Sequence, residues 1–252
     1  MKSRVPASLQ VIGRSIADWW DSWLDMVLLS IVWFFAQLTI VLGPPATFGF
    51  YYVVHQMLNG ESLGVRGMIQ GGKKFFWKSL LWGLINLGVL ILIYVNIQFY
   101  GNIEAVWGLY LQIFMILMGL LWISTQFYAL PYFMELQVKK LRYALKNGVL
   151  TTLGAPFFTL ILLFTALVLG TVSIVIIIPI FLGVLGIIPL LGFRGMYDRL
   201  VTFGLIEREK TPKEIEAEES GKIEVKGMNW KSDEKAKSVN DTDGEGPEEL
   251  PK

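Results

Sequence analysis

From Ala155 to Phe193 the chain runs for 39 residues without one charged side chain. As a single helix that stretch would reach roughly 58 Å, about twice the hydrocarbon thickness of a bilayer. It therefore has to fold back as two membrane-crossing helices. The tight turn is expected between Gly170 and Pro179, and the second helix is expected to run on to about Leu200. With 54% hydrophobic residues and a mean hydropathy of +0.52, the rest of the chain agrees. The expected fold class is an all-α, polytopic membrane protein.

Further apolar runs read as spans at Met26 to Leu42, Ser79 to Tyr100 and Ala105 to Phe133, with Pro131 bending the end of the last. Three more polar segments have helical periodicity. Leu9, Ile12, Ile16, Trp19 and Trp23 form one stripe while Arg14, Asp18, Asp21 and Asp25 follow another, and three tryptophans within five residues suit the headgroup level. Arg66, Lys73 and Lys74 punctuate Val65, Met68, Ile69, Phe75 and Phe76, with Gly71-Gly72 reading as a hinge. Val138, Leu141, Leu145 and Val149 alternate with Lys139, Arg142 and Lys146. Each is expected to be an interfacial amphipathic helix, the first serving mainly to cover the bundle end and anchor the first span.

The stretch from Leu42 to Asn59 decides the sidedness of everything after it. Gly43 closes the first span, and Pro44-Pro45 open a helix at the point where its first donors are unpaired anyway. Leu42 to Leu58 is 17 residues, about 25 Å of helix against roughly 30 Å of hydrocarbon, so length alone makes it a marginal span. Charge is more decisive. If this helix crosses, all 22 lysines and arginines lie on one face of the membrane, and the turns near Pro44, Glu104 and Gly170 to Pro179 carry none. The positive-inside rule then places both termini in the cytoplasm of a six-helix protein in the cell membrane. The expected organisation is an interfacial amphipathic helix over 1–25, a six-helix transmembrane domain over 26–200 and a cytoplasmic, mostly disordered tail over 201–252. Fourteen of the 21 acidic residues fall after Ile206 in that tail, where mixed charge, glycine, proline and serine leave too little apolar surface to offset chain entropy. Three units, each a surface helix, a span, a bare turn and a return span, begin near Leu9, Glu61 and Glu135.

The residues from Pro44 to Tyr52 resemble the YesL-like family of bacterial integral membrane proteins of unknown function. In that family a first span ends in a Gly-Pro-Ala-Thr-type motif, followed by small residues and paired tyrosines. Pro45-Ala46-Thr47 and Tyr51-Tyr52 match it, while Pro44 replaces the family's glycine, with Gly43 just before, and Phe48 stands where a small residue is usual. What the resemblance implies is a multi-pass membrane protein without established catalytic residues, associated with carbohydrate-uptake and degradation genes and expected to assist sugar transport.

Catalytic chemistry finds little footing. There is no cysteine, and His55 is the sole histidine, so cysteine or serine nucleophiles paired with histidine and histidine-built metal sites have no partner set. A proton relay at His55 would need a second titrating group beside it. Neither GxGxxG nor a P-loop spacing is present, and no cofactor is expected. Amides such as Gln37, Asn86, Asn96, Gln98, Gln112 and Gln126, with Thr47 and Asn102, either bond helix to helix or line a pocket for a hydroxyl-rich molecule; packing is the favoured use. The broken Gly43-Pro44-Pro45 entry is a device that transporters also use. The weak site candidates are thus Gly43, Pro44, Pro45, Thr47, Tyr51, Tyr52, His55, Asn86 and Gln112. The expected partners are the lipid bilayer and another membrane protein, not nucleic acid. The leading function is a non-enzymatic accessory or scaffold subunit linked to carbohydrate uptake, and the alternative is a small carrier or channel for a neutral polar solute. A lipid-modifying enzyme has no residue set to support it.

Overall fold

The computed structural model describes residues 6–61, 63–176 and 183–206, apart from the side chains of 174–176. Among them the chain is helical and contains no strand. In chain order the helices are α1 (Ala7–Asp21), α2 (Trp23–Gln37), α3 (Gly43–Leu58), α4 (Gly64–Lys74), α5 (Phe76–Gly101), α6 (Val106–Glu135), α7 (Leu141–Gly154) and α8 (Pro156–Ile176). A 3-10 turn at Val184–Gly186 then leads into α9 (Ile187–Thr202). The expected disordered tail lies, from residue 207 on, outside the described residues. Because α8 remains helical through Ile176, the turn expected between Gly170 and Pro179 is not in 170–176, and the remainder of that interval is also outside them.

Three segments, Phe76–Gly101, Val106–Glu135 and Pro156–Ser173, are long and apolar enough to cross a membrane. The chain is built as a membrane protein. Its outer surface has the matching chemistry: Leu84, Leu87, Leu92, Phe99, Leu117, Phe157 and Phe164 are all more than half exposed, and α5 buries only Ser79. A helix that is apolar all round and still uncovered needs lipid or another protein as its solvent. By contrast α2 and α3, with 15 and 16 residues, reach only about 22–24 Å.

The core lies where three return helices meet. α3, α6 and α9 touch one another pairwise, and each also packs against the span before it: α2 with α3, α5 with α6, α8 with α9. The amphipathic helices close the arrangement cyclically, since α4 lies along α3, α7 along α6 and α1 along α9. Each polar helix therefore seats on the return helix of the preceding unit, and the first seats on the last. At the centre Phe48 is fully buried, its ring 5.1 Å from Phe133, 5.7 Å from Trp82 and 6.5 Å from Phe75.

These amphipathic helices pack largely by small residues, with single larger ones such as Val11 and Met68 among them. α1 buries Ser8, Val11 and Ser15 while Leu9, Ile16 and Trp23 point outward. The expected apolar stripe is thus divided: Ile12 and Trp19 pack against the core while Leu9, Ile16 and Trp23 face the surroundings. α4 buries Gly67, Met68, Gly71 and Gly72, so Gly71-Gly72 is a packing face within a helix, not a hinge. A Cβ placed on Gly49 of α3 would sit 2.2 Å from the Met68 carbonyl oxygen of α4. α7 buries Ala144, Gly148, Thr151 and Thr152, and a Cβ on Gly148 would stand 2.8 Å from the Thr125 carbonyl oxygen of α6. Where lipid supplies no hydrophobic drive, close backbone approach is what holds helices together.

Pro131 sits inside α6 and cannot donate to the carbonyl of Phe127. α9 approaches at that point, where a Cβ on Gly192 would lie 3.0 Å from the Phe127 oxygen. Helix α1 is tied to the same return helix by a bidentate pair, Arg194 Nε to Asp18 Oδ2 at 2.7 Å and Nη2 to Oδ1 at 3.0 Å. Trp19 Nε1 also donates to the Gly183 carbonyl at 2.9 Å.

Candidate functional site

Helix α3 starts at the prolines because they need no donor there, and its first turn is closed by side chains. Gln37, at the end of α2, turns its amide back so that Nε2 donates to the Gly43 carbonyl at 3.3 Å and to Thr47 Oγ1 at 3.1 Å. Thr47 donates to the same Gly43 oxygen at 2.9 Å, and Trp33 Nε1 donates to Thr47 at 3.0 Å. A Cβ on Gly43 would meet Gln37 Oε1 at 2.5 Å and push that amide aside. Pro44 packs beside Gly83 of α5 and the Pro45 carbonyl beside Gly72 of α4. Below this collar a cavity of about 140 Å³ is lined by Trp33, Thr47, Phe50, Tyr51, Leu185, Ile188 and Pro189. It is apolar except for Thr47 and Tyr51, and the oxygen of Thr47 is already engaged.

One turn further along α3, Tyr51 stacks obliquely on Phe193 at 6.0 Å, and Tyr52 turns the other way, toward Phe75 at 6.2 Å and the Lys74 ammonium at 5.4 Å. His55 follows on the Tyr51 side, 5.7 Å from the same Phe193 ring.

At His55 the three central helices exchange side chains. Nε2 of His55 on α3 lies 3.0 Å from Oε2 of Glu135, the last residue of α6, and the hydroxyl of Tyr197 on α9 donates to that same oxygen at 2.6 Å. The other ring nitrogen has partners for either state: Asn59 Nδ2 at 3.5 Å as a donor, Gln56 Oε1 at 3.3 Å as an acceptor. Gln56 in turn donates to Glu61 at 2.7 Å. The titrating neighbour that a relay at His55 requires is therefore present, 80 residues away in sequence. Neither Glu135 nor Tyr197 stood out as its partner in the sequence, because their proximity depends on how α6 and α9 end.

Asn86 and Gln112, the two amides set apart in the sequence, do not converge. Asn86 belongs to a network between α5 and α6: Trp122 Nε1 donates to its Oδ1 at 3.2 Å, and Trp82 Nε1 donates to Gln126 Oε1 at 2.9 Å. The amide of Asn86 returns to its own helix at the Trp82 carbonyl, 2.8 Å away. Gln112 bonds only the Ile97 carbonyl, at 3.4 Å, where α5 and α6 run past each other. Nε2 of Gln126 is buried without an acceptor among the described residues. The indoles of Trp82 and Trp122, which hold these amides, were not singled out in the sequence.

Beside the His55 cluster lies a basic one. Lys139, between α6 and α7, donates to the Met134 carbonyl. Burial holds its ammonium below the ordinary lysine range; Glu135 works against that shift, and Lys74 and Lys78 add to it.

No protein-family model matches this chain, and no curated protein or solved structure does either.

Proposed function

We propose that the protein is a non-enzymatic accessory subunit of the cytoplasmic membrane, with both termini in the cytoplasm, acting through a membrane partner in carbohydrate uptake. The resemblance at Pro44 to Tyr52 is part of this reading. So is a six-helix layout, in which α2 and α3 form a first hairpin and all the basic segments remain on one side.

The observation that carries the reading is how the polar side chains in the apolar region are used. A carrier needs polar groups converging on a space that opens to each side in turn. Here Gln37 and Thr47 are bonded to a helix start, Asn86 and Gln126 to indoles, and Gln112 to a backbone carbonyl. The cavity below Thr47 is apolar. What is left for function is surface, above all the uncovered hairpin α5–α6, which suits a neighbouring helix in the bilayer.

The test is flux. The purified protein in liposomes is expected to move no mono- or oligosaccharide above the empty-vesicle rate. Asn86→Leu and Gln112→Leu are expected to lower thermal stability only. Saturable uptake by the protein alone, lost in those variants while they stay folded, would replace this reading with the carrier.

A further inference from the structure

Two lysines stand over one aromatic pair, and a third, from another part of the chain, lies close enough to feel their charge. The rings of Phe75 and Phe133 meet edge to face at 5.3 Å. The Lys74 ammonium stands 5.4 Å from the Phe75 centroid, and that of Lys78 stands 5.9 Å from the Phe133 centroid. Lys139 donates to the carbonyl of Met134, the residue after Phe133. Like charges brought together cost free energy unless something of opposite sign sits among them. Glu135 acts on Lys139 by charge, but its Oε2 is engaged by His55 and Tyr197. Among the described residues, Lys74 and Lys78 have no ion pair.

The surroundings identify the missing anion. Trp77, between the two lysines in sequence, is 80% exposed, the placement of an indole at the headgroup level. Directly along α5 the surface becomes apolar, with Leu81 and Leu84 more than half exposed. An anion here has ammonium groups at its level, an indole beside it and hydrocarbon-compatible surface on the bilayer side. A phospholipid phosphate meets all three conditions, whereas a free ion meets only the first.

We propose that Lys74, Lys78 and Lys139 form a binding site for the phosphate of an anionic phospholipid, seated over the Phe75–Phe133 pair where α4, α5 and the α6–α7 connection meet. The site rests on the membrane character of the chain and not on the accessory role, so it stands or falls apart from the flux experiment. Each lysine supplies a point charge, which tolerates variation in the headgroup beyond the phosphate. The bound lipid would clamp α4 to α6 through charge, supplementing the seat of α4 on α3.

The test is native mass spectrometry of the full chain in mild detergent, titrated with phosphatidylglycerol or with phosphatidylcholine of the same acyl chains. Retention of one phosphatidylglycerol per chain is expected, with at least about tenfold preference over phosphatidylcholine. Replacing Lys74, Lys78 and Lys139 by glutamine should abolish that preference. Removing the same number of charges at Lys140, Arg142 and Lys146 on the neighbouring connection and α7 should preserve it, and Lys78→Arg should retain it. Circular dichroism and a melting curve on each variant separate lost binding from lost fold, and if the triple variant does not fold, Lys78→Gln alone carries the comparison. Equal loss in the two triple variants would reduce the effect to net charge and overturn the site. Displacement of the lipid by an equal concentration of inorganic phosphate would assign the lysines to a free anion instead, which also overturns it.

Discussion

A single methyl group on Gly49 should destabilise this protein, whereas the same methyl on Gly88 should not. Both glycines lie inside helices, so the intrinsic gain from Gly to Ala is similar, about 0.5–1 kcal/mol in favour of alanine. Their surroundings differ. At Gly88 an added Cβ meets nothing within 4 Å, while at Gly49 it lands 2.2 Å from the Met68 carbonyl oxygen and 3.1 Å from Met68 Cγ. The carbonyl belongs to the backbone of α4, so relief requires moving a helix rather than turning a side chain. Overpacking of this kind costs about 1–3 kcal/mol, and a backbone collision belongs at the upper end. Less the helix gain, a net loss of about 2–2.5 kcal/mol should lower the melting midpoint of a chain of this size by roughly 4–10 °C. The assay is tryptophan fluorescence during heating of Gly49→Ala, Gly88→Ala and the parent protein in one detergent. Midpoints for Gly49→Ala and Gly88→Ala within a degree of each other would refute the close seat of α4 on α3.

Two further outcomes follow. Because the chain lacks cysteine, introduced thiols map topology directly: Asn102→Cys should react with an impermeant reagent from outside, and Glu61→Cys and Lys146→Cys should not; outside labelling at Glu61 would break the proposed sidedness. At the α1–α9 tie, a double-mutant cycle on Asp18→Asn and Arg194→Gln should give a coupling energy of about 1–2 kcal/mol, since both side chains are under one-quarter exposed and the contact is bidentate; a coupling near zero would mean α1 is held by Trp19 and its serine face alone.

Much of the fold was legible because lipid imposes strong constraints on sequence. The two long helices α5 and α6 fall within three residues of their expected bounds, as uninterrupted apolar length dictates. The alternation of polar surface helices with apolar helices was also readable. What could not be read was which face of each surface helix turns inward. Periodicity assigns large apolar residues to the interior, as in water, but at a membrane surface Leu9 and Ile16 have lipid to meet while Ser8 and Ser15 allow close approach. The site fared similarly. Thr47 and Gln37 were visible as polar residues in apolar runs, yet their use in capping Gly43 was not, and the contact of His55 with Glu135 and Tyr197 requires the cyclic meeting of α3, α6 and α9. Phe48, an oddity against the resembled motif, turned out to be the aromatic centre of the core.

The short hairpin α2–α3 connects these points. Its tip from Leu38 to Leu42 is uncharged, with Ile40 84% and Leu38 66% exposed. Non-helical backbone at membrane depth is tolerable only where its polar groups are satisfied. Here Thr39 and Ile40 donate to the Ala36 and Gln37 carbonyls at 3.2 Å each, Ala46 donates to the Leu42 carbonyl at 2.9 Å, and Thr39 returns its hydroxyl to the Ala36 carbonyl at 2.7 Å. A tip so equipped can rest inside the hydrocarbon, and a helix pair of about 22–24 Å has no need to reach the far surface. A hairpin that crosses and one that only dips both bring their two ends to one side, so in the proposed layout α4 and every basic segment after it keep their place in either case. In the proposed layout the sidedness therefore rests on the hairpin closing, toward which the Gln37–Gly43–Thr47 contacts work, and not on the marginal length of α3.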